Sequence, residues 1–192
     1  MQKNEEDLGH QDQNNLDLTD IVSSVAEGFL GRVHDHTEMN NDYVSWDQTW
    51  MEICQVIAKR SKDPKRKIGA IIVNDDHKVI SLGYNGMPKV KEGLDNDKIY
   101  PWIKNDINIE KTKYPYVVHA ELNAILNANQ SVKGCTLYVT YNCCNECCKA
   151  IVQSGIKKVV YMVKRDKNIY NIGRQILENA GVEVEEFTLK EN

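Results

Sequence analysis

Residues of the types that bind zinc lie close together in the second half of the chain. His119 and Glu121 are two residues apart, and Cys144 and Cys147 form a Cys-x-x-Cys pair that begins 25 residues after the histidine. One neutral imidazole and two thiolates make three zinc ligands, and a catalytic zinc keeps three protein ligands with its fourth position open for water. Glu121 is poorly placed as a fourth ligand and well placed to move protons at that water. The spacing therefore predicts one catalytic zinc ion per chain.

Each half of this pattern also has another interpretation. A Cys-x-x-Cys pair by itself could be a redox pair or half of a structural zinc site, and His-x-Glu by itself has almost no specificity. Together, the two halves match the signature of zinc deaminases, in which the glutamate moves protons and is not a zinc ligand. The combination favours a mononuclear zinc site.

Both halves of the pattern fall where a helix is expected to begin. Apolar residues follow Glu121 and Cys147 at helical spacing, and Gly155 is placed to end the second helix. Residues 135–140, before the cysteines, are rich in β-branched and aromatic types and predict a strand. Residues two apart point to opposite faces of a helix, so His119 and Glu121 can converge only in an open first turn. We therefore expect that helix to begin almost at His119.

Composition and charge narrow the class of protein. The 192 residues carry a formal net charge of −4, which argues against binding to a nucleic-acid duplex. Four of the six cysteines lie within residues 143–148, too close together for a disulfide framework. The first residues have neither the basic start nor the apolar run of a secretory signal, and no apolar stretch is long enough to span a membrane. These features predict a cytoplasmic protein that binds neither a membrane nor a duplex.

The pattern along the chain predicts a polar amino-terminal tail, residues 1–45, followed by one catalytic domain, residues 46–192. Within the tail, five apolar residues at helical spacing predict a short amphipathic helix; they are Leu18, Ile21, Val22, Val25 and Phe29. We expect this segment to dock on the body of the protein or on a neighbouring subunit.

The catalytic domain is predicted to have an α/β fold. Besides the elements at the zinc motifs, the sequence predicts helix 47–61 with Cys54 in the core, strands 67–73 and 78–82, strand 158–163, helix 170–180 and strand 182–187. The first two strands should form an antiparallel hairpin, and the later strand-helix-strand units should be parallel. We expect a three-layer α/β/α domain whose mixed five-stranded sheet has helices on both faces. Residues 86–113 form a long polar loop of the kind that is usually functional or an insertion.

Five segments of this domain closely resemble the deoxycytidylate (dCMP) deaminases, a branch of the cytidine-deaminase-like superfamily. They are Arg60–Pro64, Gly83–Pro88, Lys113–Tyr116, His119–Ile125 and Cys144–Cys147, and the resemblance covers about residues 46–187. The metal motifs alone indicate only the superfamily, whereas the Gly-Tyr-Asn-Gly-Met-Pro and Tyr-Pro-Tyr runs indicate the dCMP branch. The resemblance implies zinc-dependent hydrolytic deamination of dCMP to dUMP and ammonia, in pyrimidine deoxynucleotide metabolism.

The resemblance also implies roles for individual residues. It gives the same three zinc ligands and makes Glu121 the proton shuttle. Substrate contacts are expected at Asn85, Ala120 and Tyr116. The contact at Asn85 rests on the resemblance, since asparagine before glycine is also a common turn, and the ring of Tyr116 could stack on a base or simply pack. Lys113 is expected to be solvated rather than to face the phosphate.

This chain departs from the family pattern around the cysteines. Cys143 stands where the family usually has proline. Cys143 and Cys147 are also close enough at a helix start to bind one ion, which makes them an alternative ligand pair. We prefer Cys144 with Cys147 because that register matches the family. Cys143 and Cys148 are then expected to be small apolar fillers. The Cys-Ser-Asp stretch that some relatives use for a second metal is replaced by residues 89–97, so no second metal is expected.

The family is typically hexameric, activated by dCTP and inhibited by dTTP, which implies a homo-oligomer with these effectors. The same motifs are compatible with two other functions. One is a polynucleotide cytosine deaminase that edits RNA or DNA, and the other is a catalytically silent, effector-binding scaffold. The acidic charge and the lack of a basic track with interleaved aromatic residues argue against the first. The intact Glu121 argues against the second.

Overall fold

The computed structural model describes residues 43–188. The predicted helix at residues 18–29 and nearly all of the predicted tail lie outside the described residues. The described elements are, in chain order, α1 (Trp46–Ala58), β1 (Gly69–Val73), β2 (Val79–Tyr84), the short helix α2 (Asn96–Ile99), a 3-10 turn (Ile109–Lys111), α3 (Ala120–Asn127), β3 (Thr136–Tyr141), α4 (Asn145–Ser154), β4 (Lys158–Val163), α5 (Asn168–Asn179) and β5 (Glu183–Glu186). None of the helices within this part of the chain is long and apolar enough to cross a membrane.

The five strands form one mixed sheet, as predicted, and their order in the sheet is β2-β1-β3-β4-β5. Strand β1 is antiparallel to β2 and to β3, whereas β3, β4 and β5 run parallel. All five residues of β1 are buried, which explains its continuous small and β-branched sequence. Because of these directions, the start of β1 and the ends of β2, β3 and β4 lie side by side along one border of the sheet, at the same end of the strands. We call this border, where Gly69 pairs with Tyr84 and Tyr141 pairs with Val163, the site edge.

Helices cover both faces of the sheet, so the predicted three-layer architecture is confirmed. On one face, α1 buries Trp50, Met51 and Cys54 against side chains such as Ile71 from the central strands. Cys54 is fully buried, as expected for a core residue. On the other face, α3, α4 and α5 share a larger apolar cluster that also contains all four cysteines of residues 143–148.

Some element boundaries differ from the sequence prediction. Helix α1 ends at Ala58, three residues before the predicted end, because the backbone N–H groups of residues 59–61 bond to carbonyls three residues back and tighten the chain into a turn. Strand β2 continues to Tyr84, two residues beyond the predicted end. The long polar loop contains α2 and the 3-10 turn, each started by an asparagine or aspartate cap.

Candidate active site

The histidine and the first cysteine of the predicted zinc site both occupy helix N-cap positions. His119 precedes α3 with extended backbone (φ −71°, ψ 157°), and Cys144 precedes α4 in nearly the same conformation (φ −77°, ψ 167°). Neither side chain bonds to the N–H groups of its own helix. Val118 is held extended by a bridge to Gly86. The expectation that the first helix begins almost at His119 is thus confirmed, and both side chains are free to turn toward a shared ligand.

The donor atoms of three residues converge within the described part of the chain. His119 Nδ1 lies 3.3 Å from Cys144 Sγ and 3.4 Å from Cys147 Sγ, and all three donors lie within 4.8 Å of one another. Nitrogen and sulfur ligands at the usual bond lengths on a tetrahedral zinc ion are themselves about 3.5 Å apart. The three donors therefore fit one zinc ion. Cys143 is not in this group, which supports the preferred register.

The two clustered cysteines shift each other's pKa in opposite directions. A hydrogen bond from the Cys147 thiol lowers the pKa of Cys144 to about 4, although burial acts in the opposite direction. The pKa of Cys147 is raised, because its thiol donates to Cys144 and is itself buried. The thiolate is the form of cysteine that binds metal, and Cys144 lies at a helix N-terminus, where negative charge is favoured.

Glu121 lies in the first turn of α3 and is almost completely buried, with 4% of its surface exposed. Burial raises the pKa of this carboxyl, and the nearby His119 and a hydrogen bond from the Cys143 thiol oppose the rise. Its burial and its position near His119 and Cys144 distinguish Glu121 from an ordinary solvent-exposed glutamate on a helix. Cys143, which is 4% exposed and belongs to the apolar cluster on this face of the sheet, is a neighbour of this carboxyl group.

The structure places Asn85 at the site edge and gives both polar atoms of its side chain protein partners. Asn85 Oδ1 accepts a hydrogen bond from the Ile68 N–H at 2.8 Å. Its Nδ2 donates to the Arg66 carbonyl at 2.9 Å and to Asp63 Oδ2 at 3.3 Å. The side chain therefore ties the end of β2 to the segment that leads into β1.

Lys113 corrects the expectation of a solvated lysine. It is buried, with 7% of its surface exposed, and its Nζ is paired with the carboxylate of Asp63. Burial alone would raise the pKa of Asp63, but the Lys113 ammonium and the backbone N–H groups of Lys65 and Arg66 bring this pKa below its usual value. The pair connects the approach to His119 with the loop after α1. Sequence reasoning missed it because the partners are 50 residues apart.

The other two predicted substrate contacts lie near the start of α3. Ala120 is fully buried. Tyr116 is half-buried, and its ring centroid lies 5.1 Å from that of Tyr100 in a tilted arrangement. Packing thus accounts for the ring position of Tyr116 in the structure, and the substrate contact there stays a prediction.

Arg165 is a further residue at the site edge that sequence reasoning missed. It follows β4, and its N–H donates to Oδ1 of Asn142, two residues before Cys144, at 2.9 Å. The signal that could have found it is topological, because ligands of α/β proteins bind beyond the carboxyl ends of parallel strands.

Gly83 is required for the close approach of β2 and α3. A Cβ at this position would lie 2.2 Å from the Ala120 carbonyl oxygen and 2.4 Å from the Ala124 backbone nitrogen. We expect Gly83→Ala to lower the free energy of unfolding by about 1–3 kcal/mol, the usual cost of overpacking. We also expect it to lower the zinc content, because α3 must shift to make room for the methyl group. Thermal melting and zinc analysis measure both effects.

Gly86→Ala is the matched control for this substitution. Its Cβ would meet only the ring of Tyr84, at 3.6 Å. We expect this variant to melt close to the wild type and to keep its zinc. Equal melting of the two variants would contradict the proposed close packing of β2 and α3.

Comparison with known proteins agrees with this geometry. The family model described as the cytidine and deoxycytidylate deaminase zinc-binding region matches residues 44–163. The deoxycytidylate deaminase of Homo sapiens is 44% identical over 153 residues, which are 78% of this chain and 84% of that protein. The probable deoxycytidylate deaminase of Drosophila melanogaster is 40% identical over 172 residues, covering 85% of this chain and 80% of that protein.

A solved structure shows the same fold. The dCMP deaminase of cyanophage S-TIM5, determined in complex with dCMP and dUMP, aligns with a TM-score of 0.59 at 28% sequence identity. The alignment covers 78% of this chain and 100% of the phage protein. With the match to the family model and the identity to the human protein, this places the chain in the cytidine and deoxycytidylate deaminase family.

Proposed function

We propose that this chain catalyses the zinc-dependent hydrolytic deamination of dCMP to dUMP and ammonia, in pyrimidine deoxynucleotide metabolism. The observation that carries the proposal is the buried carboxyl group of Glu121 beside three convergent zinc donors. The names of the relatives that are 40–44% identical to this chain support dCMP as the substrate.

We assign the zinc site to His119, Cys144 and Cys147, where a bound ion would act as a Lewis acid and lower the pKa of a water molecule to about 7. Glu121 carries the proton transfers. Its carboxylate takes a proton from the attacking water and passes it to the ring nitrogen, while the water oxygen adds to carbon 4. Glu121 then takes the remaining proton from the new hydroxyl group on carbon 4 and delivers it to the amine. The carbon–nitrogen bond breaks, the carbonyl of uracil forms, and ammonia leaves. One carboxylate acts first as base and then as acid.

The proposed nucleotide site includes Asn85, Ala120 and Tyr116, which lie near the site edge or the start of α3. Because both polar atoms of the Asn85 amide already have protein partners, a substrate bond at this residue adds to those bonds or replaces one of them. This residue is therefore proposed both to position the end of β2 and to contact the nucleotide.

The finer expectations from the family belong to the same proposal. We infer a cytoplasmic homo-oligomer, a hexamer by resemblance, whose activity responds to dCTP and dTTP. Sedimentation of the full chain, with and without each nucleotide, tests the assembly and its response to the effectors.

The substrate assignment is tested by comparing dCMP, deoxycytidine and cytosine within a single-stranded oligonucleotide at fixed salt. We expect kcat/KM for dCMP to be well above that for deoxycytidine, with little turnover of the oligonucleotide. The physical reason is that a monophosphate needs only one or two local cations, whereas a polynucleotide needs an extended basic track. Ammonia release measures all three reactions.

The Glu121→Gln protein, purified in parallel, controls for contaminating deaminases. Equal efficiency on deoxycytidine would assign a nucleoside deaminase, and clear oligonucleotide turnover would assign an editing enzyme. A zinc-loaded protein without turnover of any of the three substrates would support the scaffold interpretation.

A further inference from the structure

The zinc donors and Glu121 act on the base of the proposed nucleotide and leave its 5′-phosphate without an assigned partner. The most suitable group is at the site edge, immediately after β4. Arg165 donates its N–H to Asn142 Oδ1 at 2.9 Å, and Asn142 Nδ2 donates to the Arg165 carbonyl at 3.2 Å. Asn142 is two residues before Cys144. This pair of hydrogen bonds fixes the backbone of Arg165 relative to the segment that carries the zinc donors.

The guanidinium group of Arg165 is held by two tyrosines. Its Cζ lies 4.2 Å from the ring centroid of Tyr141 and 5.3 Å from that of Tyr170. Its Nη1 donates to Tyr170 Oη at 2.6 Å. Side chains alternate along β3, and Leu137 and Val139 belong to the apolar cluster around the zinc donors, so Tyr141 also lies on that face. The cation is thus fixed on the zinc-binding side of the sheet.

One edge of this fixed guanidinium has no partner. Nε and Nη2 of Arg165 are both buried and make no hydrogen bond, and no carboxylate within residues 43–188 forms an ion pair with Arg165. Arginine stays protonated in proteins, so a buried and unpaired guanidinium edge is unfavourable. Such groups usually mark a missing water or ligand.

We propose that Arg165 binds the 5′-phosphate of the mononucleotide through its Nε–Nη2 edge. The inference rests on the proposed function and names the residue that makes the enzyme prefer a nucleotide over a nucleoside. Two parallel N–H donors on one edge of a guanidinium match two oxygens of a phosphate. Because the tyrosines hold the group before the substrate arrives, little side-chain entropy is lost on binding.

The test compares Arg165→Met with the wild type on dCMP and on deoxycytidine. Methionine keeps an apolar stem against the tyrosines and removes the charge, so we expect it to fold and to melt no lower than the wild type. Hydrogen bonds to charged groups contribute enough to predict a loss in kcat/KM for dCMP on the order of 30- to 100-fold. Turnover of deoxycytidine should change by less than about threefold, because it has no phosphate to lose.

A direct binding measurement tests the same assignment without depending on turnover. Calorimetric titration of zinc-loaded protein with dUMP and with deoxyuridine should show that Arg165→Met weakens only dUMP. Arg165→Lys keeps the charge without the fork, and we expect an intermediate affinity for dUMP. Lys164→Met is the matched control, since it removes a neighbouring positive charge whose side chain is 50% exposed and lies beside Asp166. It should leave both affinities unchanged.

The outcomes separate this inference from the proposed function. A wild-type protein that does not turn over dCMP contradicts the proposed function, whatever Arg165 does. If the wild type deaminates dCMP and Arg165→Met binds dUMP as tightly, only the phosphate assignment is wrong. An equal loss for dCMP and deoxycytidine also overturns it, because that result indicates that Arg165 merely supports the loop structure.

Discussion

Replacing Glu121 by glutamine is expected to lower kcat for dCMP by about 10²- to 10⁴-fold, the usual cost of losing a general acid–base group. Glutamine has the same shape and fits the buried position, but it cannot take up and release a proton. The three zinc donors are unchanged, so zinc content should stay at about one ion per chain. Steady-state ammonia release, zinc analysis and thermal melting test the three parts of this prediction.

Glu146→Gln provides a matched control for this substitution. Glu146 occupies the second position of α4, just as Glu121 occupies the second position of α3, and each follows an N-cap zinc donor. The side chain of Glu146 is exposed and pairs with Lys149 at 2.7 Å. We expect its turnover to match the wild type. Turnover of Glu121→Gln within a few-fold of the wild type would remove Glu121 from the proposed role.

The second large effect is expected from the adjacent cysteines, which should behave differently when each is changed to serine. Cys144→Ser removes a thiolate whose Sγ lies 3.3 Å from His119 Nδ1, so we expect zinc to be lost and turnover with it. Melting should also move to lower temperature, because zinc binds the folded site more tightly than the unfolded chain. Elemental analysis of the dialysed protein measures the zinc.

Cys143→Ser is the internal control, since it is the same chemical change one residue away. Cys143 is buried but lies outside the donor group, so this variant should retain about one zinc per chain. Some loss of stability is expected, because a hydroxyl replaces a thiol in an apolar cluster. Loss of zinc from Cys143→Ser and its retention by Cys144→Ser would show that the assigned register is wrong by one residue.

The sequence by itself determined the local parts of the site. The placement of the zinc donors at helix starts depends on the types of a few residues, on their short spacing and on where the preceding segment ends. All three features are encoded within a few neighbouring positions of the sequence. For the same reason, strands and helices were predicted to within a few residues, and the first helix of the site was correctly expected to begin almost at His119. Resemblance to known deaminases then added the substrate, which no spacing of residues could supply.

Only the tertiary structure decided how distant polar residues are paired. Lys113 has its partner Asp63 50 residues earlier, and the order of the strands decides that the loop after α1 and the approach to α3 meet at one edge. The same convergence gives the Asn85 amide its protein partners and leaves one edge of Arg165 unpaired. Local propensity does not contain this information, because a hydrogen bond between remote segments depends on the packing of the whole sheet.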